Sequence, residues 1–91
     1  MATNKAQNLR ICALKLADAL LDASKNNPDR IQQKHLRELF HLLADAFPEV
    51  PPNTLAMVRI KVTTHKFIDV VTWIENRIRA TDLIDRTASR L

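Results

Sequence analysis

Residues 28–47 read PDRIQQKHLRELFHLLADAF, and they carry the most regular apolar pattern in the chain. At about 100° per residue, one half of a helical cylinder receives the apolar side chains and a histidine at their border. These are Ile31, His35, Leu36, Leu39, Phe40, Leu42, Leu43, Ala46 and Phe47. The other half receives the basic side chains Arg30, Lys34, Arg37 and His41. We therefore predict a helix over 28–47 whose wide apolar half is covered by at least two neighbours.

The composition restricts the fold class. A chain of 91 residues is long enough for one domain, and a hydrophobic content of 46% argues against disorder. The chain contains no glycine, a residue that two-residue β-hairpin turns and many β-bulges need for their positive φ angles. Antiparallel sheets are therefore disfavoured, and the glycine-rich loops that bind nucleotide phosphates are excluded.

Cysteine content and charge indicate the compartment and the partner. Cys12 is the only cysteine, so neither an intrachain disulfide nor a metal site built from cysteine pairs is available. The stretch MATNKAQNLR lacks the apolar segment of a signal peptide, and no apolar run approaches the ~18 residues of a membrane span. We expect a cytoplasmic protein without a membrane partner. The net charge of +4 favours an acidic protein or a nucleic acid as partner.

The amino-terminal segment predicts a first helix over 7–26, after a short frayed leader at 1–6. Its core stripe repeats at steps of three and four and consists of Leu9, Cys12, Ala13, Leu16, Leu20 and Ala23. Ile11 falls instead in the polar sector, flanked by Leu14 and Leu21. These aliphatic side chains are either scattered exposed residues or a partner or dimer surface. The sequence SKNNPDR then signals a break and restart, so the first two helices form an antiparallel hairpin.

The carboxy-terminal half predicts a long third helix over 54–80, after the helix-breaking segment PEVPPNT. Its core stripe consists of Phe67, Val70, Val71, Ile74 and Ile78, extended backward in the same phase by Ala56, Ile60, Thr63 and Thr64. The alternation of side chains over 57–63 also fits a strand. The helix is preferred because a strand would need a second copy of the chain as its partner. Residues 82–90 form a short fourth helix or continue the third.

The strand alternative carries a resemblance to a DNA-binding family. The segment VRIKVT, residues 58–63, alternates apolar with basic or polar side chains and precedes two helical segments. This order resembles that of the ribbon-helix-helix repressors over about the last 35 residues. The resemblance implies a strand paired across a dimer, with Arg59, Lys61 and Thr63 facing the major groove of DNA. The small turn residue of that family is missing between the two helices, and the first 50 residues lie outside its pattern.

Signatures of catalysis and metal binding are scarce. His35 and His41 are six residues apart and project to opposite sides of their helix, so they cannot share a metal ion or a proton. The chain lacks an HExxH motif, a closely spaced carboxylate pair, a serine elbow and a Cys-His signature. Gln32 is the one fully polar side chain at the centre of a core stripe, where we expect a hydrogen-bonded core amide. We expect no enzymatic activity, cofactor, metal or small-molecule substrate.

Two side-chain patterns predict binding surfaces. The basic stripe, defined as Arg30, Lys34, Arg37 and His41, extends about 16 Å along its helix at 1.5 Å per residue. That length matches several successive phosphates of a nucleic acid, and the alternative is a solvated helix back. On a continuous third helix, one face also carries Arg59, Lys66, Trp73 and Arg77. Tryptophan beside arginine is typical of the anchors of protein interfaces, whereas burial under a terminal helix would make Trp73 a core residue.

We predict an all-α fold, a small bundle of three to four helices in which a helical hairpin packs on a long third helix. The bundle forms one domain over 1–91, and two copies of the chain form a homodimer. The predicted function is that of a non-enzymatic adaptor or regulator that binds a protein partner through helix faces. The predicted partner or dimer contacts are Ile11, Leu14, Leu21, Ile68, Trp73 and Arg77. The alternative is nucleic-acid binding through the basic stripe or the ribbon, with contacts at Arg30, Lys34, Arg37, His41, Arg59 and Lys61.

Overall fold

The computed structural model describes residues 2–90, and the side chains of residues 5–80. The described chain forms four α-helices and one turn of 3₁₀ helix: α1 (Ala2–Asn26), the 3₁₀ turn (Pro28–Arg30), α2 (Gln33–Ala46), α3 (Pro52–Thr63) and α4 (Phe67–Arg90). Over 2–90 the structure contains no β-strand, which confirms the all-α prediction. The alternative of a strand over 57–63 is wrong, because this segment lies inside α3.

The four helices are arranged around α1. Both α2 and α4 pack along α1, and α3 packs against α2 and α4. The Nε atom of Arg10 donates a hydrogen bond to the carbonyl oxygen of Ala46 at 3.3 Å, which places the end of α2 beside the first half of α1. The two helices therefore run antiparallel, as expected for the predicted α1–α2 hairpin. Fully buried Ala13 and Ala17 leave room for a neighbouring helix to approach α1 closely.

The core receives side chains from every α-helix and from the α2–α3 connection. Its buried members are Ala13, Ala17, Leu20, Leu36, Leu39, Leu43, Ala46, Phe47, Val50, Val58, Val62, Phe67, Val70, Val71 and Ile74. Phe47 and Phe67 are the largest fully buried side chains within 5–80. Phe47 packs edge-to-face on Trp73, with the two ring centres 5.3 Å apart, and thereby joins the end of α2 to α4.

The predicted second helix begins too early. Pro28 starts a 3₁₀ turn instead, Ile31 is extended with φ −77° and ψ 115°, and α2 begins at Gln33. The restart is set by a reciprocal pair of hydrogen bonds: His35 Nδ1 accepts from the Gln32 N–H at 3.4 Å, and the Gln32 carbonyl accepts from the His35 N–H at 3.0 Å. Gln32 is therefore the residue at the helix cap, where its side chain is exposed, and the expected core amide is wrong.

The predicted third helix is interrupted at residues 64–66. His65 has φ 60°, and the bonds around it form a Schellman motif, in which its N–H reaches the Val62 carbonyl and the Lys66 N–H reaches the Lys61 carbonyl. Glycine usually occupies this left-handed position, and histidine takes it here at a cost of about 1 kcal/mol. The single helix over 54–80 is therefore wrong, because a turn at residues 64–66 separates α3 from α4.

The interruption changes which side of α3 faces the core. Val58 and Val62 are buried, whereas Ile60, predicted to continue the stripe of the following helix, is 62% exposed. The predicted phase assumed one helix axis, and the turn at residues 64–66 resets that phase. Met57 is 63% exposed, so apolar side chains occupy the outer face of α3 as well as its inner face.

The ends of the chain also differ from the prediction. The helix α1 begins at Ala2, so the predicted leader at 1–6 is wrong over residues 2–6, which contain neither proline nor glycine. The helix α4 runs to Arg90, so of the two alternatives for 82–90 the continuation of the preceding helix is confirmed and the separate short helix is wrong. None of the helices within the described residues combines the length and the apolar character needed to cross a bilayer.

Candidate partner-binding groove between α2 and α3

A groove of about 440 Å³ lies between α2 and α3. It is lined by Arg37, Phe40, His41, Leu43, Ala44, Pro52, Leu55, Ala56 and Arg59, and we call it the α2–α3 groove. The connection between the two helices is short and contains the buried side chains Phe47 and Val50, which anchor it to the core. Pro51 has extended angles, and Pro52 provides the first residue of α3, so the start of this helix is held rigidly.

Apolar side chains form the floor of the groove. Leu43 is buried, and Phe40 and Leu55 are partly buried and pack against the core. Ala44 and Ala56 are exposed on the two banks, where their short side chains leave the floor accessible. Six of the nine lining residues are exposed, so the site is an open groove and not a closed cavity.

A contact between Arg59 and Phe40 spans the groove. The Cζ atom of Arg59 lies over the Phe40 ring, 4.9 Å from its centre, which is within range for a cation–π interaction. A contact of this kind restricts the guanidinium, and its N–H donors can still bind a ligand. The contact therefore positions one exposed cation in the lining of the groove.

The rim of the groove is basic. Arg37, His41 and Arg59 are exposed lining residues, and the lining contains no carboxylate. Two ion pairs are formed among the side chains of 5–80, Lys61–Asp69 at 3.6 Å and Arg77–Glu49 at 3.4 Å, and neither includes a rim cation. The positive charge of Arg37 and Arg59 is therefore not neutralised by a paired carboxylate of the described part of the chain.

The predicted nucleic-acid contacts are divided between several places. Arg30 lies in the 3₁₀ turn, so only Lys34, Arg37 and His41 of the basic stripe lie on α2. Lys61 is partly buried and pairs with Asp69. The ribbon arrangement of Arg59, Lys61 and Thr63 is wrong, because alternate residues of a helix point to different sides.

The predicted protein contacts lie on α1 and α4, outside the groove lining. Leu14, Leu21 and Trp73 are partly buried and pack against the core, whereas Ile11 is 38% and Ile68 is 59% exposed. Arg77 pairs with Glu49 of the α2–α3 connection. The face predicted to carry Arg59, Lys66, Trp73 and Arg77 on one helix is not formed, because the first belongs to α3 and the last two to α4.

The groove itself was missed by sequence reasoning. The sequence pattern places Phe40 on the core half of its helix and predicts no binding role for Leu55, Ala44 or Pro52. One available signal was the position of Phe40 at the edge of the apolar half, beside Arg37 and Ala44. Another was the distribution of apolar residues around all sides of the segment LAMVRIKV, residues 55–62, which implies contacts on more than one side.

Histidine and cysteine side chains are dispersed over the structure. His35 caps α2, His41 lies at the groove, and His65 occupies the α3–α4 turn beside Phe67, with the two ring centres 5.3 Å apart. Cys12 is exposed on α1, although its position in the sequence pattern predicted a core stripe. Within residues 5–80, no three His, Cys, Asp or Glu side chains converge to hold a metal ion.

Comparison of the chain with models of known protein families, with curated proteins and with solved structures gave no match. The chemistry that the groove offers is that of its own lining residues. These supply an apolar floor and a basic rim.

Proposed function

We propose that this protein is a non-enzymatic adaptor or regulator that binds a protein partner through the α2–α3 groove. The observation that carries the proposal is an accessible apolar floor bordered on both banks by cations that lack paired carboxylates. An apolar floor supplies binding energy through burial, and polar groups at the rim supply orientation and specificity.

The open shape favours a macromolecular segment over a small molecule. Small-molecule sites typically enclose most of the surface of their ligand, whereas six of the nine residues that line this groove are exposed. A peptide segment can lie along such a groove and extend beyond both of its ends.

The apolar surface continues beyond the groove onto the outer face of α3. Ile60 follows the groove residue Ala56 by four positions, which places the two side chains on neighbouring turns of one helix face. Met57 adjoins this line, and both large side chains are more than 60% exposed. A partner seated in the groove can therefore bury further apolar area on α3.

Nucleic-acid binding is the second candidate function, and the exposed cations Lys34, Arg37 and Arg59, with the exposed His41 beside them, favour it. Phosphate contacts weaken steeply as salt concentration rises, whereas apolar contacts do not. A salt titration of binding therefore measures how much of the affinity comes from charge contacts, and nuclease treatment of the bound complex distinguishes the two functions. The loss of Arg30 from the helical line shortens the array on α2 to about 10 Å, and a phosphate backbone would leave the apolar floor unused.

Site-specific photocrosslinking in the native cell tests the protein-binding function. A photoreactive amino acid replaces Ala56 in the groove or, as a control, Asp18 on the exposed side of α1. We expect a protein adduct from position 56 that survives nuclease treatment and is absent from position 18. Equal adducts from both positions, no adduct, or adducts only to nucleic acid would reject the proposal.

The predicted homodimer is a separate part of this proposal. The exposed apolar side chains of α3 and α4 support it, because Met57, Ile60 and Ile68 are each more than half exposed. Sedimentation at increasing protein concentration tests it. A mass that remains monomeric at concentrations of about 100 μM would reject a dimer with micromolar affinity.

A further inference from the structure

Basic side chains of the α2–α3 groove lie on both of its banks, and an arginine is present on each. Arg37 and His41 belong to α2 and are separated by four residues, or about 6 Å along the helix, and Arg59 belongs to α3. A segment that occupies the apolar floor therefore has positive charge on both flanks. Charge complementarity requires negative side chains on both sides of its apolar anchors.

Because the rim arginines lack paired carboxylates, the groove favours an occupant with acidic flanks over other occupants. Covering Arg37 or Arg59 removes water from a cation, and this desolvation is unfavourable unless the occupant supplies a charge-assisted hydrogen bond. Neither arginine has an ion-pair partner among the described side chains, so a carboxylate of the occupant need not displace one. A basic occupant would instead meet three positive or titratable side chains.

The orientation of Arg59 strengthens its suitability for a carboxylate. Its guanidinium carbon already lies over the Phe40 ring, so less side-chain freedom is lost when it binds. The N–H donors at the edge of a stacked guanidinium can bind both oxygens of a carboxylate. This pair of residues therefore combines an apolar contact with an acidic one at a single place.

The conformation of the occupant follows from the backbone around the groove. Both banks are α-helices, whose central N–H and C=O groups are paired within each helix. The banks thus offer no strand edge to pair with an extended peptide, and a helix satisfies its own backbone groups. The groove lining extends over seven residue steps on each bank, about 10 Å, which matches two turns of a helix.

We infer that the groove binds a short amphipathic helix of a protein partner, with apolar anchors at spacings of three and four residues and Asp or Glu on both flanks. This inference rests on the proposed function and specifies the chemistry of its partner. The rim cations select acidic flanks, and the floor around Phe40 and Leu55 receives the anchors.

Two designed 18-residue helical peptides test the inference. Both peptides have the same apolar face, with Leu and Phe at positions i, i+3, i+4 and i+7. They differ only at the flanking positions, which are all Glu in one peptide and all Lys in the other. Fluorescence anisotropy of labelled peptides measures their binding to the full chain, and a labelled 20-base-pair duplex is measured in parallel. At moderate salt, we expect the dissociation constant of the Glu peptide to be lower than that of the Lys peptide by a factor of about ten or more.

Three variants locate the binding. Ala56→Trp fills the groove from an exposed position, and we expect it to weaken the Glu peptide about tenfold. The double variant Arg37→Glu/Arg59→Glu should reverse the preference so that the Lys peptide binds better. The matched control Lys15→Glu/Lys25→Glu changes the net charge equally on the exposed side of α1 and should preserve the preference. Circular dichroism establishes that every variant remains folded.

The outcomes separate this inference from the proposed function. Equal binding of both peptides, with loss on Ala56→Trp, would overturn the acidic partner and leave protein binding in place. Failure of both peptides to bind would also overturn the inference, while the photocrosslink at position 56 decides the proposed function independently. Duplex binding that is abolished by Arg37→Glu/Arg59→Glu, without peptide binding, would overturn the inference in favour of nucleic acid.

Discussion

The guanidinium of Arg59 on α3 lies 4.9 Å from the centre of the Phe40 ring on α2. The two residues are far apart in sequence, and this contact joins the two banks of the groove across the α2–α3 connection. It gives the groove both of its chemical features, because the aromatic ring belongs to the floor and the cation belongs to the rim.

The Arg59–Phe40 contact predicts a measurable coupling. Arg59→Ala should lower the free energy of unfolding by about 0.5–1 kcal/mol, the range expected for an exposed cation–π pair. In a double-mutant cycle with Phe40→Leu, urea denaturation should give a coupling of similar size. Arg37→Ala is the control, because Arg37 lies over no aromatic ring among the side chains of 5–80, and it should change stability by less than about 0.5 kcal/mol. Strictly additive effects of Arg59→Ala and Phe40→Leu would show that the two side chains do not interact.

The positive φ angle of His65 predicts that glycine is more stable than alanine at this position. His65→Ala keeps a Cβ atom in the left-handed conformation, whereas His65→Gly removes it. We expect the glycine variant to be about 1 kcal/mol more stable than the alanine variant, because both lose the ring contact with Phe67 and only one retains the backbone strain. Thermal unfolding of the two variants measures this difference. A glycine variant that is less stable than the alanine variant would contradict the Schellman geometry.

The position of Phe47 predicts a large loss of stability on truncation. The side chain is fully buried and packs on Trp73. The Cζ atom of Arg10 lies over its ring, 5.8 Å from the ring centre. Phe47→Ala should lower the free energy of unfolding by about 3–5 kcal/mol through lost burial and a residual cavity. Denaturant titration followed by circular dichroism provides the measurement. Phe47→Leu retains most of the buried volume and should cost distinctly less; equal losses would argue against a close-packed site.

Two predicted contact residues should respond differently to truncation. Leu21 is partly buried against the core, so Leu21→Ala should lower the free energy of unfolding by about 1–3 kcal/mol. Ile68 is 59% exposed, so Ile68→Ala should change it by less than about 0.5 kcal/mol. Denaturant titration compares the two variants, and sedimentation of the Ile68 variant reports on association. A large destabilisation by Ile68→Ala would show that its exposed face is covered in solution.

Sequence periodicity was sufficient for the class of the fold. The stripe containing Leu36, Leu39 and Leu43 predicted a helix, and these three side chains are buried in the core. The prolines at 51 and 52 predicted the break before α3, because proline restricts its own φ angle and the conformation of the preceding residue. These features follow from local backbone geometry and from side-chain spacing, so they could be predicted without knowledge of the neighbouring helices.

Helix boundaries at the two restarts could not be predicted in the same way. Residues 64–66 contain no proline or glycine, and the residues that flank the turn, Val58, Val62 and Phe67, are buried where α3 packs against α4. A left-handed backbone conformation is unfavourable for histidine, so no local sequence pattern predicts it at this position. The start of α2 likewise depends on the Gln32–His35 hydrogen bonds and not on Pro28 alone.

The amino-acid sequence by itself determined that the chain is helical, that its first two long helices form a hairpin, and that a proline-containing break follows them. Only the tertiary structure decided that Arg37, His41 and Arg59 surround one apolar floor. The reason is physical: spacing along a helix determines which side chains share a face, but the relative position of two helices depends on the core that both must cover. Here that core rotates Val58 and Val62 inward, and the same rotation places Arg59 over Phe40.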